Sequence, residues 1–138
     1  MDKKLKDSLS KIKLLICDID GVLTDGSFTK STSGEELRSF NALDGVGFVV
    51  LRLLDLNVKT AWITGRESIT TTQRAEELQI DDVYNGVIRK IDAYIELKKK
   101  YGLSDSEICF IGDDIIDIPI LEKVGLAVTV PNAPKYIS

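Results

Sequence analysis

The chain alternates short, nearly continuous apolar runs with segments whose apolar residues recur at helical spacing. Four runs read as buried strands: Lys13–Cys17 (KLLIC), Val58–Ile63 (VKTAWI), Glu107–Ile111 (EICFI) and Leu126–Val130 (LAVTV). Each is short, and the first three give way to a loop containing Gly or Asp. Asp82–Tyr84, ahead of Asn85-Gly86, is a weaker fifth candidate. Helical patterns lie between them, over Val46–Asp55, Ser68–Leu78, Lys90–Tyr101 and Ile116–Val124. Ser68 can cap its helix, and Gly102 and Gly125 stand where the last two should stop. On Lys90–Tyr101 the spacing predicts Ile91, Tyr94, Ile95 and the stem of Lys98 on the inner face.

Strands alternating with helices imply βαβ units on a parallel sheet, an α/β fold of Rossmann-like three-layer α/β/α type. Right-handed crossovers put every strand C-terminus on one edge, and ligands of open α/β sheets bind at that edge. Asp18, Thr64 and Asp113 each fall just past a predicted strand, so they should converge there. One segment breaks the alternation. Gly26–Phe40 (GSFTKSTSGEELRSF) holds two strand-like pieces around Ser33-Gly34, which predicts an inserted β-hairpin. There is no internal repeat, low-complexity tract or linker, so residues 1–138 read as one domain.

Composition narrows the chemistry. A net charge of −4 with no dense basic face argues against nucleic acid; Lys98–Lys100 reads as a solvated helix end. The sequence has no histidine, which removes His bases, His metal ligands and Ser-His-Asp triads. Cys17 and Cys109 sit singly in apolar runs, as buried thiols in a reducing compartment do. Met1–Lys11 lacks the apolar centre of a signal peptide, and no run approaches the ~18 apolar residues of a membrane span. The expected location is the cytoplasm, with no membrane partner.

Four groups of residues carry chemistry. The first is Asp18-Ile-Asp20-Gly21, two carboxylates at i and i+2 as a strand ends. Unpaired charge beside a core is costly, so a metal or substrate should compensate it. Asp18 suits nucleophilic attack on phosphorus, and Asp20 suits protonation of the leaving oxygen. Turns and calcium loops also contain D-x-D-G. The second is Thr64-Gly65-Arg66, whose hydroxyl and N–H can donate to a phosphoryl oxygen or cap a helix. The third is Lys90, either a counter-charge to a transferring phosphoryl group or a solvated helix-start lysine. The fourth is Gly112-Asp113-Asp114 with Asp117. Oxygen ligands without His or Cys suit Mg²⁺, and a capped helix start explains only one of these three acids.

In this order the set D-I-D-G-V-L-T-D-G, T-G-R, K and G-D-D-x-x-D resembles the haloacid-dehalogenase-like phosphatases. It is most similar to their capless branch, typified by the 3-deoxy-D-manno-octulosonate 8-phosphate phosphatases. Gly34-Glu35-Glu36, Phe40-Asn41, Asp44-Gly45, Tyr84-Asn85-Gly86 and Glu122-Lys123-Val124-Gly125-Leu126 carry that likeness, which runs from about Lys13 to Val130. The resemblance implies a catalytic set of Asp18, Asp20, Thr64 and Lys90, with Asp18 the nucleophile. Mg²⁺ would be held by Asp18, the main-chain carbonyl of Asp20 and Asp113, with Asp114 and Asp117 supporting. Substrate contacts would map to Asp20, Asn41, Ala42, Leu43, Asp44, Gly45, Gly65, Arg66, Arg74 and Lys90. It further implies a phosphorylated sugar acid as substrate, no cap domain, and a homotetramer in which the 26–40 hairpin meets neighbouring subunits. Two departures stand out. Val49 occupies a position that is basic in the branch, with Arg52 one turn on as a candidate replacement. The branch also continues past the position of Ser138 with a strand, a helix and a Gly-rich tail.

Three other readings use the same residues. A phosphatase of another ulosonate, such as a nine-carbon 9-phosphate, shares every catalytic group. A response-regulator receiver needs an Asp at the later strand exit, where Thr64 stands. A degenerate homologue, serving as an assembly or regulatory module, has little reason to keep costly carboxylates.

Overall fold

The structure is a computed structural model, described here for residues 1–135; the predicted domain limit at Ser138 lies outside those residues. Helix α1 (Lys3–Ser10) precedes strand β1 (Leu14–Cys17). A hairpin of β2 (Thr29–Lys30) and β3 (Glu36–Leu37) follows, then α2 (Ala42–Leu53), β4 (Lys59–Thr64), α3 (Ile69–Leu78) and β5 (Asp82–Asn85). The rest is α4 (Lys90–Tyr101), β6 (Ile108–Ile111), α5 (Ile118–Leu121) and β7 (Leu126–Val128). The five main strands form one parallel sheet in the order β5-β4-β1-β6-β7.

Why the apolar runs lack alternation is plain from this order: interior strands of a parallel sheet are covered on both faces. Leu14, Ile16, Ala61, Ile63, Ile108 and Phe110 point to one face and pack on Ala93, Tyr94 and Leu97 of α4 and Ile120 of α5. Cys17 and Trp62 point to the other, against Phe48 of α2 and Ala75 and Leu78 of α3. Phe48 meets Trp62 edge to face at 5.7 Å. The chain builds outward from β1 to β5, then returns to lay β6 and β7 on the opposite side. That reversal puts the helices on two faces and makes the C-terminal end of β1 the switch point. Register brings Cys17 opposite both Trp62 and Ile111, so the residues after all three strands share one edge.

Several boundaries differ from the sequence expectation for local reasons. Helix α2 starts at Ala42 rather than Val46, because the Asn41 carboxamide accepts from the Leu43 N–H at 2.8 Å and caps it. Helix α4 keeps its predicted limits but turns Lys90, Ala93, Tyr94 and Leu97 inward, leaving Ile95 55% exposed. The predicted helix at Ile116–Val124 divides into a 3₁₀ turn, Ile115–Asp117, and the short α5. Pro119 starts α5 in its first turn. Helix α1 offers only Leu5 and Leu9 as an apolar signal; it buries no residue, and Asp2 caps it. The hairpin stands where expected, turning through Gly34 at φ +90°.

Candidate active site

Asp18 continues the edge of β1, its N–H donating to the Ile111 carbonyl at 2.9 Å. Its Oδ1 accepts from the Ile19 N–H at 2.7 Å and from Lys90 Nζ at 2.9 Å. Lys90, the first residue of α4, lies on that helix's inner face and is buried. Its ammonium also donates to Asp117 Oδ1 at 2.8 Å. The other oxygen of Asp117 accepts from the backbone N–H groups of Asp113 and Asp114, each at 3.2 Å. Asp114 in turn caps the following turn through Ile115 N–H.

Carboxylate oxygens of Asp18, Asp113 and Asp117 lie within 4.8 Å of one another. One buried ammonium faces three acids, and the titrations reflect that. Burial pushes Asp18 from 3.8 up to about 8, with Lys90 opposing the rise and Asp117 adding to it. Burial also raises Asp113. At Lys90 burial pulls downward, but Asp18 and Asp117 outweigh it and hold the ammonium above its usual value. Asp113 Oδ1 is buried without a hydrogen-bond partner. A hard divalent cation fits this donor set: oxygen ligands only, excess negative charge and an orphaned buried carboxylate oxygen. Gly21 is required beside it, because a Cβ there would lie 1.8 Å from Asp113 Oδ2 and φ is +86°.

A cleft of about 480 Å³ opens over these groups, lined by Asp18, Asp20, Thr64, Gly65, Arg66 and Lys90 among others. Thr64 ends β4 with its hydroxyl accepting from Arg66 N–H at 3.3 Å. Asp20 Oδ2 accepts from Arg38 at 3.2 Å and lies 3.7 Å from Arg66 Nε, while its Oδ1 is buried without a partner. The hairpin leans over the cleft: Arg66 pairs with Glu36 at 3.0 Å and covers the Phe28 ring at 3.7 Å.

The remaining sequence candidates gather elsewhere. Asn41 caps α2, and Ala42 and Arg74 line a groove of about 320 Å³ together with Phe40 and Arg38, the residue that reaches Asp20. Asp44 and Gly45 border it, with Arg74 pressed so close that a Cβ on Gly45 would meet its guanidinium at 2.6 Å. Leu43 is exposed. Arg52 does not replace the basic residue expected at Val49. It donates to the Leu78 carbonyl at 3.2 Å, beside Lys59 and Asp81 at the opposite edge of the sheet. A helix antiparallel to the strands carries one turn of offset away from the site. Arg38 was not anticipated. Its only signal is position, two residues after Glu36, which on a strand places both side chains on one face.

The fold and site thus join a parallel sheet, acids at its switch point, a buried lysine behind them and an acidic cluster that suits a hard cation. The chain belongs to the haloacid dehalogenase-like hydrolases, whose family model matches residues 53–138. It is 41% identical over 122 residues to 3-deoxy-D-manno-octulosonate 8-phosphate phosphatase KdsC of Salmonella typhi, a match covering 88% of this chain and 64% of that protein. The chain thus spans a little under two thirds of that relative's length. The crystal structure of the phosphatase of that name from Yersinia pestis superposes with a TM-score of 0.93 at 37% identity, over 99% of this chain and 72% of that one. The Moraxella catarrhalis phosphatase, solved with magnesium, phosphate and KDO, gives 0.93 at 32% identity, over 100% of this chain and 80% of that one.

Proposed function

We propose that these residues form one capless phosphatase domain that hydrolyses a phosphorylated sugar acid, 3-deoxy-D-manno-octulosonate 8-phosphate, with Mg²⁺. The observation that carries this reading is the Lys90 ammonium between Asp18 and Asp117, at 2.9 and 2.8 Å, in a cleft floored by further acids. The names and bound ligands of the relatives supply the substrate class.

Asp18 attacks phosphorus, forming an aspartyl-phosphate as the bond from phosphorus to the bridging oxygen breaks. Asp20 gives that oxygen its proton, so the sugar leaves as a neutral alcohol. Asp20, now a carboxylate, takes a proton from water as water attacks phosphorus, and Asp18 departs with phosphate released. Thr64 and Gly65 hold phosphoryl oxygens, and Lys90 offsets the accumulating negative charge. Arg66 faces the sugar acid, with Asn41–Gly45 and Arg74 contributing from the adjoining groove. Asp18, the Asp20 carbonyl and Asp113, with Asp114 and Asp117 in support, would hold Mg²⁺, which would supply charge neutralisation for the acids and the phosphoryl group.

The same reading makes the protein a cytoplasmic homotetramer. Exposed Phe28 and Leu37 on the hairpin suit contact with a second copy, and both cysteines are free and buried. No helix among the described residues is long and apolar enough to cross a membrane. The test is phosphate release from a panel of eight- and nine-carbon sugar-acid phosphates, with and without Mg²⁺. Preference for the eight-carbon ester supports the substrate; no turnover of any member refutes the reading. A monomer by sedimentation at micromolar protein removes the tetramer.

A further inference from the structure

The segment after β3 brings a guanidinium, that of Arg38, to the Asp20 carboxylate. Arg38 has no exposed side-chain surface, and its two terminal nitrogens are engaged while Nε is buried without a hydrogen-bond partner. It donates to Asp20 Oδ2 at 3.2 Å and to the Thr71 hydroxyl of α3 at 2.8 Å, and lies 4.0 Å from Glu36. A buried guanidinium is stable only while it is paired, so it cannot drift from these partners. Arg66, the other cation near Asp20, is 36% exposed and 3.7 Å away, and its closer partner is Glu36.

We propose that Arg38 is the positioning residue for the general acid Asp20, an inference that rests on the phosphatase reading above. Its effect follows from the two oxygens of one carboxyl. Oδ2 accepts a charge-assisted hydrogen bond and is a poor place for a proton. Oδ1 is buried without a partner in a residue that lines the cleft. The oxygen left to deliver the acid step's proton is therefore Oδ1, and Thr71 and Glu36 fix the guanidinium that enforces this. In the acid step that proton passes to the bridging oxygen as its bond to phosphorus breaks, leaving an alcohol and an ionised Asp20. The hairpin thereby aligns catalysis in its own subunit.

Leaving groups separate this role from a structural one. An alkyl phosphate needs the proton, whereas p-nitrophenyl phosphate releases a stable phenolate without it. Mg²⁺-loaded wild type, Arg38→Met, Arg38→Lys and Asp20→Asn should be assayed on the sugar phosphate and on the aryl ester. Arg38→Met is expected to lose about 10²-fold in kcat on the alkyl ester, the scale of general acid catalysis, and about threefold or less on the aryl ester. Arg38→Lys, which keeps a cation near Asp20, should recover roughly tenfold. Equal losses on both esters, a change confined to KM, or a Lys variant no better than Met overturns the inference. Should Arg38→Met fail to fold, Thr71→Val loosens the guanidinium without removing it, and the absence of a several-fold split in the same direction is equally fatal. Wild type inactive on both esters refutes the phosphatase reading and this inference together. A split in Asp20→Asn that is missing in Arg38→Met refutes the inference alone.

Discussion

Replacing Asp18 by Asn should abolish turnover and, in metal-free protein, raise stability at neutral and alkaline pH. In the unfolded chain the Asp18 carboxyl ionises at its ordinary 3.8, whereas burial moves it to about 8 in the folded state. Between those values the folded protein holds a proton that the unfolded chain has lost. Folding therefore weakens as pH rises through that window and levels off above about 8. At ~1.4 kcal/mol per unit, the ionised carboxylate costs the folded state at most about 6 kcal/mol. Asn removes this cost but also gives up the ion pair with Lys90, so a net gain of about 2 kcal/mol is expected. For a domain of this size that is a rise of roughly 6 °C in Tm. Thermal unfolding of EDTA-treated wild type and variant from pH 4 to 9 measures it. The wild type should lose stability over the range and the variant should stay nearly flat. Parallel curves, or a variant less stable than wild type at pH 8, would refute the reasoning that Asp18 is a strained, cation-seeking group.

Lys90→Met leaves Asp117 buried without its cation; a loss of about 3 kcal/mol in urea unfolding is expected, together with a ~10²-fold or larger fall in kcat. Gly21→Ala forces Asp113 aside, since the new Cβ would sit 1.8 Å from its Oδ2. Calorimetric Mg²⁺ affinity should drop at least about tenfold, the 1.4 kcal/mol scale of a displaced ligand. Saturating Mg²⁺ should raise the Tm of wild type, worth about 2.7 kcal/mol at a hundredfold excess over Kd, and EDTA should reverse both this and any turnover. A wild-type Tm indifferent to Mg²⁺ counts against the cation site.

By itself the sequence determined the periods and the chemical types. The central strands were legible because their runs are apolar on both faces and stop at Asp or Gly; α3 was legible from Ser68, and α4 from Gly102. Asp18 and Asp20 were legible because an i, i+2 pair of acids beside an apolar run is costly without compensation. The start of α2 was missed because Asn41 caps it ahead of any apolar repeat, and α1 because its two leucines stand singly among polar residues and it buries neither of them. Tertiary structure alone decided which groups meet. Whether Lys90 was solvated or buried depended on the rotation of α4 against the sheet, and that rotation put it between Asp18 and Asp117. The direction of α2, antiparallel to the strands, carried Arg52 to the opposite edge. Arg38 and Asp20 are 18 positions apart and join only because the hairpin folds back over β1. Local patterns encode what a residue can do, whereas crossover topology and strand register set its partners, and neither is written in any short stretch of sequence.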